Sequence, residues 1–249
     1  MKISGNTIFI PGATSGIGLG LALRLHEAGN RVIVGGRRVE LLDQIATDHP
    51  GIETIRIDTA DAADVTRAST DVQQRYPETN VVIAMAGIMR AEDLSGAGFL
   101  ETAVVEVETN ILGPLRLVAA FAEFLATRPD ATIMTVSSGL AFTPMAGTPT
   151  YSATKAAIHS FTDSLRLQLA DKGISVLELV PPAVRTELMP GQATADWAMP
   201  LEEFLDEVMA LLPTATREIL VERVKPLRFS AQEGNYDDLM AALAHQAAS

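Results

Sequence analysis

Short runs of consecutive apolar residues, rich in Val and Ile, recur along the chain, separated by longer stretches of helical periodicity. The runs predict strands over 6–11 (NTIFIP), 31–35 (RVIVG), 52–57 (IETIRI), 80–84 (NVVIA), 131–137 (ATIMTVS) and 174–180 (ISVLELV). Between them the spacing predicts helices near 16–28, 38–48, 61–76, 98–126 and 150–172. Strands that alternate with helices imply a parallel sheet. These strands read as continuous apolar runs rather than alternating ones, as a sheet buried on both faces requires. The expected fold is α/β: a doubly wound parallel sheet of six or seven strands with helices on both faces, three layers in αβα order.

After residue 181 the pattern changes. Residues 182–200 are rich in Pro, Gly, Met and Ala around a lone Trp197, which suggests a long loop or lid. A helix near 201–212 follows, with Pro200 before it and Glu202 and Glu203 in its first turn, where the helix dipole favours carboxylates. The expected substrate lid spans about 185–212. EILVE at 218–222 offers a seventh strand, and Asn235, Asp237 and Asp238 mark a last helix over 236–247. With no linker and no internal repeat, residues 1–249 are expected to form a single domain.

The net charge of −12 argues against nucleic acid, which needs a basic stripe, and against an anionic membrane surface. Absence of cysteine excludes disulfides, thiolate nucleophiles and Cys-type zinc sites. His26, His49, His159 and His245 are scattered without metal-ligand spacing, so no metal is expected. No stretch approaches about 20 apolar residues, and the N-terminal apolar run is too short for a signal peptide. The expectation is a soluble cytoplasmic protein.

The first strand runs into Gly12-Ala13-Thr14-Ser15-Gly16-Ile17-Gly18, and the first helix follows. Gly12 permits a tight turn, Gly16 lets the backbone approach a pyrophosphate, and Gly18 lets helix and sheet pack closely. Around Thr14, Ser15 and Ile17 the helix start then points bare N–H groups at phosphates. Strand, glycine turn and helix together are the opening of a Rossmann-type dinucleotide fold. The bland alternative is a structural turn without a ligand. The second strand ends at Gly35-Gly36, followed by Arg37-Arg38. A carboxylate there would bond the adenosine 2′-hydroxyl, whereas arginine accommodates a 2′-phosphate. NADP(H) is therefore favoured over NAD(H), against the alternative of two solvated charges. Asp58, after the third strand, can accept from the adenine amino group or cap the next helix.

Tyr151 and Lys155 lie four apart on a predicted helix and so share a face. A free tyrosine, with its pKa near about 10, is a poor acid–base group at neutral pH, and a nearby ammonium would favour the phenolate. Ser138, at the end of the fifth strand, can donate to a carbonyl oxygen placed beside Tyr151. Met89, Phe142, Met145, Met189, Trp197 and Met199 lie on segments that could wall an apolar pocket, with ordinary packing as the alternative for each.

From about residue 5 to 190 the chain resembles the short-chain dehydrogenase/reductase family. The glycine turn, Asn110, Ser138, Tyr151 and Lys155 fall in that family's order, with Ser138 thirteen residues before Tyr151. The resemblance implies that Tyr151 is the proton donor or acceptor, that Ser138 orients the substrate, and that Lys155 lowers the tyrosine pKa. It also implies that Asn110 holds a water linking Lys155 to solvent. Pro181-Pro182-Ala183-Val184-Arg185-Thr186 resembles a segment whose backbone at Val184 contacts the nicotinamide carboxamide, so Pro181 and Thr186 join the cofactor residues. Gly87 joins them through Ala84-Met85-Ala86-Gly87, although the family usually has Asn-Asn in place of Ala84-Met85. Pro11 stands where the family usually has Thr. The N-terminal third and ILVERVKPLR resemble, more weakly, oxidoreductases encoded beside teichoic-acid D-alanylation enzymes.

The expected activity is NADP(H)-dependent interconversion of an alcohol and a ketone or aldehyde. The substrate is expected to be a small, apolar molecule. Alternatives are an epimerase, dehydratase or enoyl reductase of the same fold, or a redox-sensing NADP-binding regulator. Enoyl reductases of the family separate Tyr and Lys by six residues, and such regulators usually lose one of the two. Pairing through the helices at 98–126 and 150–172 into a homodimer or homotetramer is expected by analogy.

Overall fold

The computed structural model of the chain describes residues 1–246. The predicted helical position 247 and the side chain of His245 lie outside what it describes. Seven strands form one parallel sheet: β1 Thr7–Pro11, β2 Arg31–Gly36, β3 Glu53–Arg56, β4 Val81–Ala84, β5 Thr132–Val136, β6 Ser175–Val180 and β7 Glu218–Leu220. Their order is β3-β2-β1-β4-β5-β6-β7. The order reverses between β1 and β4, and doubly wound sheets bind ligands in the crevice at that switch.

The α-helices are α1 Gly16–Glu27, α2 Val39–Asp48, α3 Ala62–Arg75, α4 Phe99–Val107, α5 Gly113–Leu125, α6 Pro149–Leu169, α7 Leu201–Leu211, α8 Lys225–Glu233 and α9 Tyr236–Gln246. They cover both faces because the central strands β1, β4, β5 and β6 are buried on both sides. Ile8, Ile10, Val32, Val34, Val81 and Ile83 face α1, α2 and α7, where Leu21, Leu25, Leu42, Phe204 and Val208 close one core. Phe9, Ile33, Val82 and Ile133 face the opposite way, onto Val65 and Val72 of α3 and Leu117 and Phe121 of α5. Phe9 and Phe121 meet with ring centroids 5.7 Å apart.

Two details depart from the expected elements. The stretch over 98–126 is α4 and α5 joined by a π-helical turn, Glu108–Leu112, which inserts an extra residue at Asn110. Such turns recur at functional sites because they re-aim a side chain. α8 was not foreseen. Its sequence KPLRFSAQE has Pro226 in the first turn, and its Leu227 side chain lies against Gly139. Among the described residues no helix is long and apolar enough to cross a membrane.

The lid region divides. α7 is core, with Phe204, Leu205 and Val208 buried against α1. The preceding loop is stitched shut by a parallel bridge between Val184 and Met199, and by Arg185 donating from Nε to the Ala195 carbonyl at 3.0 Å. Of the stretch 185–212 expected to be a lid, α7 is therefore framework, and the residues that border the cavities described below lie in the loop before Pro200.

Candidate active site

Beyond the carboxyl ends of the central strands lies a cavity of about 500 Å³. Its floor is the glycine turn, from Gly12 through Thr14, Ser15, Gly16 and Ile17 to Gly18. Gly12 has φ +92°, and a Cβ there would stand 2.4 Å from the Ala86 Cα and N. A Cβ on Gly18 would stand 2.6 Å from the Gly12 carbonyl oxygen and 2.9 Å from Met85 Cγ. The turn is thus pressed between β1, α1 and the end of β4, so that only glycine fits. Ser15 precedes α1 without a side-chain cap, leaving the helix's first N–H groups for a ligand anion.

At one end of the cavity Arg38 donates from Nη2 to Thr14 Oγ1 at 2.8 Å and to Ser15 Oγ at 3.2 Å. Arg37 lines the same wall and has no acidic partner among the described residues. Asp58 lines it too, its Oδ1 accepting from the Ala60 amide at 3.0 Å. The cap of α3 is Asp61 rather than Asp58, its carboxylate accepting from the Ala63 and Asp64 amides. Gly87, Pro181, Val184 and Thr186 line the other end with Tyr151 and Lys155. This donor set fits a dinucleotide: bare helix amides, two guanidinium groups, and a backbone cradle that any Cβ would fill.

Tyr151 and Lys155 project from the first turns of α6, both buried. The Lys155 ammonium lies 5.5 Å from the Tyr151 ring centroid and donates to the Val136 carbonyl at 2.8 Å. Ser138 follows β5, and its Oγ accepts from the Leu140 amide at 3.2 Å, leaving its proton to be donated outward. Burial pushes the Tyr151 phenol up to about 12; the Ser138 hydroxyl opposes this and Glu106 adds to it. Burial pulls Lys155 down to about 8, against Glu106 and Glu178. The protein's own groups therefore leave Tyr151 above its ordinary value rather than below it, because desolvation exceeds the effect of the Ser138 hydrogen bond.

Asn110 does not line the cavity. Its Oδ1 accepts from the Ile88 amide at 2.9 Å, and its Nδ2 donates to the Ile88 carbonyl at 2.8 Å and to Thr154 Oγ1 at 3.2 Å. The side chain clamps the segment after β4 onto α6. A Cβ on Gly87 would stand 3.5 Å from both Asn110 Oδ1 and Lys155 Nζ, so the two groups flank Gly87.

A second cavity of about 430 Å³ adjoins the first and shares Met89, Ser138, Tyr151 and Gln192 with it. Met145, Met189 and Trp197 line it, together with Leu140 and Leu227, and among the described residues no charged side chain does. Phe142 and Met199 are elsewhere. Phe142 packs edge-on to His159 at 4.6 Å and beneath Arg228, whereas Met199 is buried in the core.

Some participants gave no sequence signal. Gln192 donates to the Val184 carbonyl at 2.7 Å and ties the loop after β6 to itself. His159 is paired: its Nδ1 lies 2.9 Å from Glu178 Oε2, and Glu218 is close by, held bidentately by Arg228. His159, one turn beyond Lys155, could have been noticed by helical spacing. Its partner on β6 could not, because a glutamate in a buried strand carries no pattern.

The short chain dehydrogenase family model matches residues 6–196. The chain is 38% identical over 244 residues to the uncharacterized oxidoreductase DltE of Bacillus subtilis (strain 168), covering 96% of each protein. A short chain dehydrogenase from Burkholderia cenocepacia J2315, solved in complex with NADP, superposes with TM-score 0.84 at 27% identity, covering 98% of this chain and 99% of that one. A short-chain dehydrogenase from Sphingobium yanoikuyae, in complex with NADPH, superposes with TM-score 0.80 at 25% identity, covering 95% of each. With the glycine-turn cavity and the buried tyrosine–lysine pair, these likenesses establish that the chain belongs to the short-chain dehydrogenase family and is an oxidoreductase acting with a nicotinamide dinucleotide.

Proposed function

We propose that this protein is an NADP(H)-dependent oxidoreductase that interconverts an apolar alcohol with its ketone or aldehyde, using Tyr151 as acid and base. The observation that carries the reading is the meeting of two cavities at Tyr151 and Ser138. One cavity has dinucleotide chemistry and the other is an uncharged apolar pocket. A substrate in the apolar pocket would put its oxygen within reach of both hydroxyls. Ser138 would donate to that oxygen and hold it, while Tyr151 gives it a proton on reduction and takes one on oxidation.

The α1 N-terminus with Gly12, Gly16 and Gly18 would hold the pyrophosphate, Arg37 and Arg38 the adenosine 2′-phosphate, and Asp58 the adenine. Lys155 would hold the nicotinamide ribose, and Pro181, Val184 and Thr186 the nicotinamide end. When bound, the dinucleotide supplies or accepts the hydride. The preference for the phosphorylated form is supported by the two arginines beyond β2 and by the lack of a carboxylate at that strand end. Asn110 supports the site by fixing Ile88 and, with Lys155, by flanking Gly87.

A homo-oligomer belongs to the same reading. Leu100 and Val104 on α4 and Leu167 on α6 are 60%, 55% and 80% exposed, apolar surface on the two helices through which a second copy would pack. A cytoplasmic setting, where nicotinamide dinucleotides are made and recycled, also belongs to it. The test is consumption of NADPH against a panel of ketones and aldehydes, run beside NADH. The proposal requires turnover on an apolar carbonyl with NADPH preferred, and its loss in Tyr151→Phe. Equal activity of Tyr151→Phe on every substrate found would defeat it.

A further inference from the structure

Glu106 is an ionisable side chain with no solvent exposure. It projects from α4, a helix packed on α6, and is fully buried. Its Oε1 accepts from the Arg90 amide at 2.8 Å, and its Oε2 finds no hydrogen-bond partner among the described residues. Glu92 repeats the arrangement. Its Oε2 accepts from the Thr150 amide at 2.8 Å, next to Tyr151, and its buried Oε1 is likewise without a partner. The charged groups facing Glu106 are Glu92 and Arg90 from the segment after β4 and Lys155 from α6, with Tyr151 beside them.

We propose that Glu106 is a positioning residue of the reaction: it holds the segment after β4 by the Arg90 main chain and supplies the counter-charge that keeps Lys155 an ammonium. The inference rests on the Tyr151 reading above. A buried carboxylate with one free oxygen is costly, and structures retain one chiefly where a cation compensates it. Of the two cations that face Glu106, Arg90 is exposed, whereas Lys155 is buried with a main-chain carbonyl as its hydrogen-bond partner among the described residues. Glu178 faces Lys155 as well, but both of its oxygens lie against His159, so its charge is shared. Burial, with the Arg90 amide opposing and Glu92 reinforcing, pushes Glu106 up to about 7. It therefore changes charge near neutrality. Ionised Glu106 favours the ammonium and disfavours the tyrosinate; protonated Glu106 relaxes both effects.

Glu106→Gln separates the two parts of the role. It keeps an acceptor for the Arg90 amide and removes the charge. The test is a pH titration of the Lys155 ε-carbon resonance in ¹³C-lysine-labelled full-length protein, assigned with Lys155→Met. The Lys155 midpoint, near 8 in the parent, should fall by roughly one pH unit in Glu106→Gln, the scale of one neighbouring charge in protein. An unchanged midpoint would overturn the proposal. Should Glu106→Gln not fold, the parent itself decides. In ¹³C-glutamate-labelled protein one buried carboxyl should titrate near 7, and its absence would overturn the proposal. Neither measurement needs a substrate, so each can fail independently of the Tyr151→Phe assay. Where turnover is found, Glu106→Gln should move the alkaline limb of the alcohol-oxidation profile to lower pH, and Glu106→Leu should in addition raise KM through loss of the Arg90 contact.

Discussion

Gly12→Ala puts a methyl group where the turn and the end of β4 meet. The new Cβ would stand 2.4 Å from the Ala86 Cα and N, both backbone atoms, whereas ordinary contact begins at 3.4 Å. About an ångström of displacement is needed, and no side chain can rotate to provide it. The φ of +92° adds strain of about 1–2 kcal/mol for an L-residue. The overlap adds about 1–3 kcal/mol. The combined cost of about 2–5 kcal/mol is divided between stability and cofactor affinity. If it falls wholly on affinity, NADPH binding weakens by about thirty-fold or more, at roughly 1.4 kcal/mol per tenfold. If it falls on stability, each kcal/mol lowers Tm by about 2–4 °C for a chain of this size. Displacing Ala86 also moves Gly87, which is flanked by Lys155 and Asn110. An ångström there is expected to cost about a hundred-fold in kcat. Calorimetric titration with NADPH and thermal unfolding of the same preparation measure both shares. Gly173→Ala is the control, since Gly173 has φ +71° with nothing within 4 Å and so reports strain alone. A Gly12→Ala protein that melts within about 2 °C of the parent and binds NADPH within about threefold would refute the close-packing argument.

Tyr151→Phe should lower turnover by about 10²–10⁴-fold while NADPH affinity stays within a few-fold, read by NADPH absorbance and fluorescence titration. Arg37→Ala combined with Arg38→Ala should weaken NADPH about ten-fold or more and leave NADH nearly unchanged, and equal losses would remove the basis for the cofactor preference. The hydrogen bond to Glu178 holds His159 above its usual 6.5 despite opposing burial. A raised histidine stabilises the fold fully below 6.5 and loses that contribution as pH rises through the folded value. The parent's Tm should therefore fall as pH is raised above 6.5, and His159→Gln should show a flatter profile there; parallel profiles would argue against the pairing. Phe121→Ala, opening a cavity against Phe9 in the core, should cost about 3–5 kcal/mol in urea unfolding.

The sheet was legible because its strands are buried on both faces, so apolar continuity and strand length marked them. β7 was read from EILVE alone. The glycine turn, Ser138, Tyr151 and Lys155 were legible because close packing and helical spacing demand particular residues at fixed intervals. The break at Asn110 was not, since a π-turn is one extra residue in an otherwise regular pattern and changes no hydrophobic position. Glu106 was invisible for a related reason. On α4 it alternates with exposed valines, and a buried carboxylate there looks like a solvated one. The split of the lid at Pro200 depends on α7 docking against α1, a tertiary contact that composition does not encode. Likewise, Phe142 and Met199 share the composition of the pocket wall, and only packing assigns them elsewhere.

The central claim is that hydride moves between a nicotinamide and a carbonyl carbon while Tyr151 handles the oxygen's proton. The most direct test uses NADPH deuterated at the transferring position, with the best carbonyl compound from the panel, followed by mass spectrometry and NMR of the alcohol formed. One deuterium is expected on the carbinol carbon for the parent protein, and product reduced about 10²-fold or more for Tyr151→Phe. Deuterium absent from that carbon, or equal yields from the two proteins, would contradict it.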